Sequence, residues 1–125
     1  MKFSNKLAES TKNAFYLVSV LWAVHLLQHF MSMELGFLGI YPRQWWGLKG
    51  IITAPLIHAD WQHLISNSVP ILVLTTTIFY FYNRVALRSY LMIYLLTGLM
   101  VWMFARNVFH IGASGVVYGL SLIHI

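Results

Sequence analysis

Two clusters of polar side chains interrupt an otherwise apolar chain, and both hold residue types that acyl transfer uses. The first is His58, His63 and Asn67, in the stretch Thr53-Ala-Pro-Leu-Ile-His-Ala-Asp-Trp-Gln-His-Leu-Ile-Ser-Asn. His63 and Asn67 stand at i and i+4, which sets both on one face of a helix. The second is Gly112-Ala-Ser-Gly-Val-Val-Tyr-Gly, with Ser114 at an expected helix start. Acyl transfer needs a nucleophile and donors aimed at the developing oxyanion. Ser114 offers the hydroxyl, neutral His63 and the Asn67 amide can donate, and a backbone N–H at a helix start has no helical acceptor. Each residue also has a plainer reading. His63 and Asn67 serve equally as hydrogen-bonding glue between helices. Ser114 suits an N-cap, and Gly115 with Gly119 forms a small-xxx-small packing pair. GxSG also differs from the GxSxG nucleophile elbow, because Gly115 follows Ser114 directly and no strand precedes it.

The elements that must position these groups are membrane helices. Of 125 residues, 59% are hydrophobic and only 9% are charged, against about 25% charged in a soluble domain. No Asp, Glu, Lys or Arg occurs in 13–33, 61–83, 89–105 or 107–125, and about 20 apolar residues cross a bilayer. The reading is three complete spans, roughly Asn13 to Met33, Trp61 to Tyr82 and Ser89 to Ala105, with the start of a fourth at Gly112 to Gly115. Glu34 to Asp60 is apolar but broken by Gly36, Gly39, Pro42, Gly47, Gly50 and Pro55. It is expected to lie at the interface or re-enter the bilayer against protein, with Trp45 and Trp46 at headgroup depth. Met1 to Met33, with Lys2, Lys6 and Lys12 ahead of an apolar run, has the outline of a secretory signal, but the run is too long and lacks a small-residue cleavage site, so it is kept as a span.

The net charge of +5 comes from eight basic residues scattered singly, which excludes a nucleic-acid stripe. Lys2, Lys6 and Lys12 precede the first span, and Arg84 and Arg88 lie between the second and third. Arg43, Lys49 and Arg106 fall on the other side, so the positive-inside bias gives a cytoplasmic N-terminus. His63, Asn67 and Ser114 then share the outer face. Cys is absent, which removes disulfides, thiolate metal sites and a cysteine nucleophile.

Taken together, HxxxxHxxxN, about 45 further residues, and GxSG at the start of a membrane helix resemble a rhomboid intramembrane serine protease. The likeness covers the chain up to Gly119. It implies an all-α polytopic membrane protein with a rhomboid-like helical bundle, in which Ser114 is the nucleophile. It implies oxyanion stabilisation by His63 and Asn67, and supporting roles for His58, Gly112 and Gly115. Glu34 to Ile57 becomes the lateral membrane-embedded loop. The implied partners are transmembrane protein substrates and the lipid bilayer, with no cofactor and no metal. The compact core without soluble extensions points to a multi-pass protein of a bacterial inner membrane.

Rhomboids take their general-base His from a last core span, and no such span occurs here. His124 would sit about 15 Å from Ser114 along a continuing helix, and His110 lies in the loop. The expectation is a fragment, itself inactive. The Trp-Arg pair common in the lateral loop of the family is also missing, with Lys49 and Gly50 in its place. Leu120-Ser-Leu-Ile-His-Ile back-translates to CTG TCT CTT ATA CAC ATC, which resembles the transposon end of tagmentation libraries. The division expected is therefore 1–119 as a partial rhomboid membrane domain and 120–125 as a sequencing-adaptor scar. Two alternatives stand beside the protease. One is a rhomboid-like pseudoprotease that binds membrane clients. The other is a membrane protein binding haem or a metal through His25 and His29 or through His58 and His63. Against the latter, His25, Gln28, His29 and Ser32 read as one hydrogen-bonding face of the first span.

Overall fold

The computed structural model describes residues 3–123, so Lys2 and His124 fall outside the described residues. Five α-helices run as α1 (Phe3–Phe30), α2 (Gly50–Thr53), α3 (Trp61–Phe81), α4 (Asn83–Phe104) and α5 (Ser114–Ile123). No strand occurs among the described residues, and the single β-bridge pairs Ile40 with His110. The architecture is all-helical, and α3 and α4 are long and apolar enough to cross a membrane. Of the three spans expected from sequence, the second and third are thus matched. α1 reaches further toward the N-terminus than expected, and His25, Gln28 and His29 in its last turns lower its apolar character.

Helices α1 and α3 meet along a heptad-like seam. Ser10, Ala14, Val18, Leu21 and His25 are buried on α1, and Leu64, Ser68, Ile71, Thr75 and Ile78 on α3. Steps of three and four residues keep one face toward the partner, as side chains interleave in bundles. The pair is antiparallel: Lys6 Nζ lies 4.7 Å from the Tyr80 ring centre at one end, and His25 packs edge-on to Trp61 at the other. Midway, Trp22 Nε1 donates to Ser68 Oγ at 2.9 Å, while that hydroxyl donates to the Leu64 carbonyl at 2.6 Å.

Only Tyr82 separates α3 from α4, so α4 starts six positions before the expected Ser89. Arg84 and Arg88 are good helix formers and lie within its first turns instead of in a loop. Thr75 Oγ1 and Tyr90 OH, 3.2 Å apart, tie the two helices. The second packed cluster holds Ile78, Ala86, Tyr90, Val116 and Leu120. α5 lies so close to α4 at Gly119 that a Cβ there would come 2.4 Å from Ile93 Cγ2. The small-residue reading of Gly119 is therefore correct as packing. Gly119→Ala is expected to lower stability by about 1–3 kcal/mol through overpacking, read as a reduced Tm of the detergent-solubilised full-length protein.

The segment between α1 and α3 is broken, as its glycines and prolines require. It contains single 3-10 turns at Gly36–Leu38, Trp45–Gly47 and Ala54–Leu56 and the short α2. It is held to α4 by backbone partners. Arg43 N–H donates to the Trp102 carbonyl at 2.9 Å, Arg43 Nη1 to Met103 at 3.1 Å, and Trp102 Nε1 to Gln44 at 2.8 Å. Tyr94 OH also donates to the Ile52 carbonyl. Non-helical backbone at this depth needs such internal partners.

Candidate functional site

The site forms where the N-termini of α3 and α5 meet the last residues of the broken segment. Asp60 opens α3: its backbone is extended and its Oδ1 accepts the His63 N–H at 2.9 Å. That bond, foremost, holds the Asp60 carboxyl below its ordinary pKa. The N-cap explains why the helix starts at Trp61.

Ser114 opens α5. The preceding Gly112 has φ +102°, a left-handed conformation that glycine adopts without strain, and its N–H donates to Ala54 at 2.9 Å. This turn brings the Ala113 N–H, just ahead of α5, to His58 Nε2 at 3.3 Å. Ser114 Oγ donates to Asn67 Oδ1 at 3.4 Å, across 47 residues of sequence.

His58, in the loop between the Ala54–Leu56 turn and α3, is the buried pivot, at 1% exposure. Its Nε2 lies 3.1 Å from Asn67 Nδ2 and accepts the Ala113 N–H at 3.3 Å. Both neighbours are donors, so Nε2 holds the lone pair and the ring proton sits on Nδ1. Among the described residues, buried Nδ1 has no hydrogen-bond partner. Burial, then the nearby His25 and His63, push the His58 pKa down from 6.5 to about 4. The ring is therefore neutral at pH 7. It is also too weak a base to take a serine proton efficiently.

The same shift sets a stability window. Above pH 6.5 the ring is neutral whether folded or unfolded, and the stability is fully present. Between 6.5 and about 4 only the unfolded chain binds the proton, so stability falls with pH. Thermal melts of the full-length protein in detergent are expected to lose Tm steadily from pH 7 to 4, with a shallower slope for His58→Gln.

His63 stands apart. It shares a helix face with Asn67, yet its ring turns to Asp60, with Nδ1 3.1 Å from Oδ1 and a side chain 66% exposed. Helical side chains lean toward the N-terminus, and the capping carboxylate waits there. Among the described residues no hydrogen bond joins His63 to Asn67 or Ser114. The structure thus brings His58, Asn67 and Ser114 together, with Gly112 shaping the turn and Gly115 passing close to Thr97. It adds the Ala113 N–H, which the sequence did not single out because a backbone donor leaves no residue-type signal.

The other histidines occupy a separate corner. His25 and His29 pack edge-on against Trp61, with ring centres 4.4 and 5.5 Å away. Gln28 Nε2 reaches the His58 carbonyl at 3.5 Å. A cavity of about 370 Å³ beside them is lined by His25, Gln28, His29, Glu34 and Asp60. Among the described residues no group of three or more His, Asp or Glu is placed to hold a metal ion, so the pairs His25/His29 and His58/His63 gain no further ligand.

Against known proteins, the family model described as "Rhomboid domain" matches residues 42–125. The chain is similar to uncharacterized proteins of Mycobacterium bovis and Mycobacterium tuberculosis, 34% identical over 112 residues, which is 82% of this chain and 45% of theirs. An uncharacterized protein of Mycobacterium leprae is 30% identical over 112 residues, 82% of this chain and 43% of its own. The chain thus spans less than half the length of these curated relatives. No solved structure matches it.

Proposed function

The chain belongs to the rhomboid family, and on that premise we propose that its full-length protein is an intramembrane serine endopeptidase with Ser114 as nucleophile. The observation that carries this reading is the Ser114 Oγ to Asn67 Oδ1 hydrogen bond. It joins the two motifs at the start of α5.

In this mechanism Ser114 Oγ attacks the scissile carbonyl of a transmembrane substrate. The developing oxyanion meets the Ser114 N–H and the Asn67 amide. That amide has two N–H bonds: one is engaged by His58 Nε2, and the second remains for the oxyanion. His58 thereby acts as a positioning residue, holding Asn67 on one side and the Ala113 N–H on the other. His63 joins the oxyanion site by leaving Asp60, a rotation open to an exposed ring. The proton acceptor for Ser114 is not among these residues. His58 is too weak a base, and among the described residues no hydrogen bond joins His110 to Ser114.

The same reading places the protein in the cell membrane as a multi-pass chain, with α1 as a third span beside α3 and α4. Lys6 and Lys12 near the start of α1, and Arg84 and Arg88 at the start of α4, support a cytoplasmic N-terminus. The partners are transmembrane proteins and the bilayer.

A serine-reactive phosphonate applied to the folded full-length protein is expected to modify Ser114, located by peptide mass mapping. An intact fold with Ser114 unmodified would overturn the protease reading and leave the client-binding pseudoprotease.

A further inference from the structure

Hydrolysis inside a membrane needs water at the acyl group, and a cavity of about 160 Å³ opens beside Ser114, lined by Ser114, His110, Thr97, Gly98 and Gly115 among others. We infer that His110 is a positioning residue which holds the hydrolytic water in this cavity. The inference rests on the protease reading above and adds a residue that neither the motif pair nor the family resemblance supplies.

The ring of His110 is fixed at both ends. Its backbone forms the bridge to Ile40, with N–H to the Ile40 carbonyl and its own carbonyl accepting the Ile40 N–H, each at 2.9 Å. Its Nε2 lies 2.9 Å from the Arg106 carbonyl. A carbonyl only accepts, so Nε2 carries the proton and Nδ1 keeps the lone pair. A half-buried ring with one committed donor and one available acceptor suits a water that must present its oxygen to an electrophile. The cavity has room for several waters, since one needs only about 10–15 Å³ of such volume. Polar partners are present as well: Thr97 Oγ1 donates to the Ile93 carbonyl at 2.7 Å and keeps acceptor capacity for a second water. The remaining lining is apolar, including Val101 and Val116, so His110 and Thr97 fix where water sits.

The step balances with water alone. Water oxygen bonds the acyl carbon and the bond from that carbon to Ser114 Oγ breaks. One water proton ends on Ser114 Oγ and the other stays with the released carboxylic acid. His110 Nδ1 accepts a hydrogen bond from the water and so orients the attacking lone pair.

The test uses the full-length protein and an activated ester whose leaving group is counted in the pre-steady state. His110→Gln keeps a donor for the Arg106 carbonyl but removes the acceptor at the Nδ1 position. It is expected to give a stoichiometric burst followed by turnover slowed about 10-fold or more, the scale of losing one positioning contact. Phosphonate modification of Ser114 should stay within about twofold. His110→Asn can place its amide oxygen where Nδ1 stood and is expected to recover most of the turnover. Equal turnover in wild type and His110→Gln would overturn the inference, as would recovery by Gln and not Asn, which would mark a purely structural anchor. Failure of the wild type to take up the phosphonate at Ser114 would remove the protease reading and this inference with it. That failure is separable, because it precedes any effect of His110.

Discussion

Ser114→Ala in the full-length protein is expected to remove cleavage of transmembrane substrates, by about 10³-fold or more, while the protein stays folded. The magnitude follows from the loss of the proposed nucleophile; what remains after such a loss is the contribution of oxyanion donors and binding. The fold should tolerate the change because Ser114 Oγ is exposed and makes one long hydrogen bond, 3.4 Å to Asn67 Oδ1. α5 still begins at this position, since Gly112 sets the turn and the Ala113 carbonyl accepts the Val117 N–H at 3.0 Å. Cleavage of a tagged substrate in reconstituted liposomes, with a melt of the same preparation, gives both readouts. A Ser114→Ala protein that cuts at more than about a tenth of the wild-type rate would leave no role for Ser114 as nucleophile.

The second large effect is expected at Asn67. On the proposed mechanism Asn67→Ala takes away an oxyanion donor, with an expected loss of about 10²–10³ in kcat. It also strips a partner from His58 Nε2, which is then left with the Ala113 N–H alone. A lost partner at a buried polar group costs about 1–3 kcal/mol, so the Tm should fall together with kcat. Asn67→Asp separates the two effects. Its carboxylate still accepts from Ser114 but offers no N–H, and it sets a negative charge where another develops. Activity should be at least as low as in Asn67→Ala, with KM little changed. Retention of a third of wild-type kcat by Asn67→Asp would sink the oxyanion role. His63→Ala is the informative companion, because its ring faces Asp60 in the resting structure. A loss of kcat with an unchanged Tm would mean that His63 leaves Asp60 during the reaction.

Local chemistry was legible in the sequence where one residue decides the outcome. The charge-free run from residue 61 marked the start of α3, though not the cap that Asp60 supplies, and Gly112-Ala-Ser-Gly marked that of α5. Glycine and proline spacing announced the broken segment between α1 and α3, and the charge-free runs announced α3 and α4. The start of α4 was misplaced because Arg84 and Arg88 were read as a polar turn, whereas they lie in a helix that starts at Asn83, with only Tyr82 between it and the end of α3 at Phe81. The centrality of His58 was hidden for a different reason. Its partners come from Asn67 nine residues on and Ala113 55 residues on, so no local spacing announces them. Periodicity likewise showed His63 beside Asn67 but not the rotamer that turns its ring to Asp60.

The antiparallel seam of α1 and α3 bears on the order in which the molecule is made. The Trp22 to Ser68 hydrogen bond joins groups 46 residues apart, and the broken segment lies wholly between them. During synthesis α1 is finished well before α3 exists. Through that interval His25 and Gln28 lack the partners that Trp61 and His58 later supply. Arrival of α3 zips the seam and closes that corner, and only then does Asn67 stand ready for the helix that begins at Ser114. Ser114 thus arrives at a seam already formed by α1 and α3. A chain interrupted between α1 and α3 would leave the polar face of His25 and Gln28 without those partners.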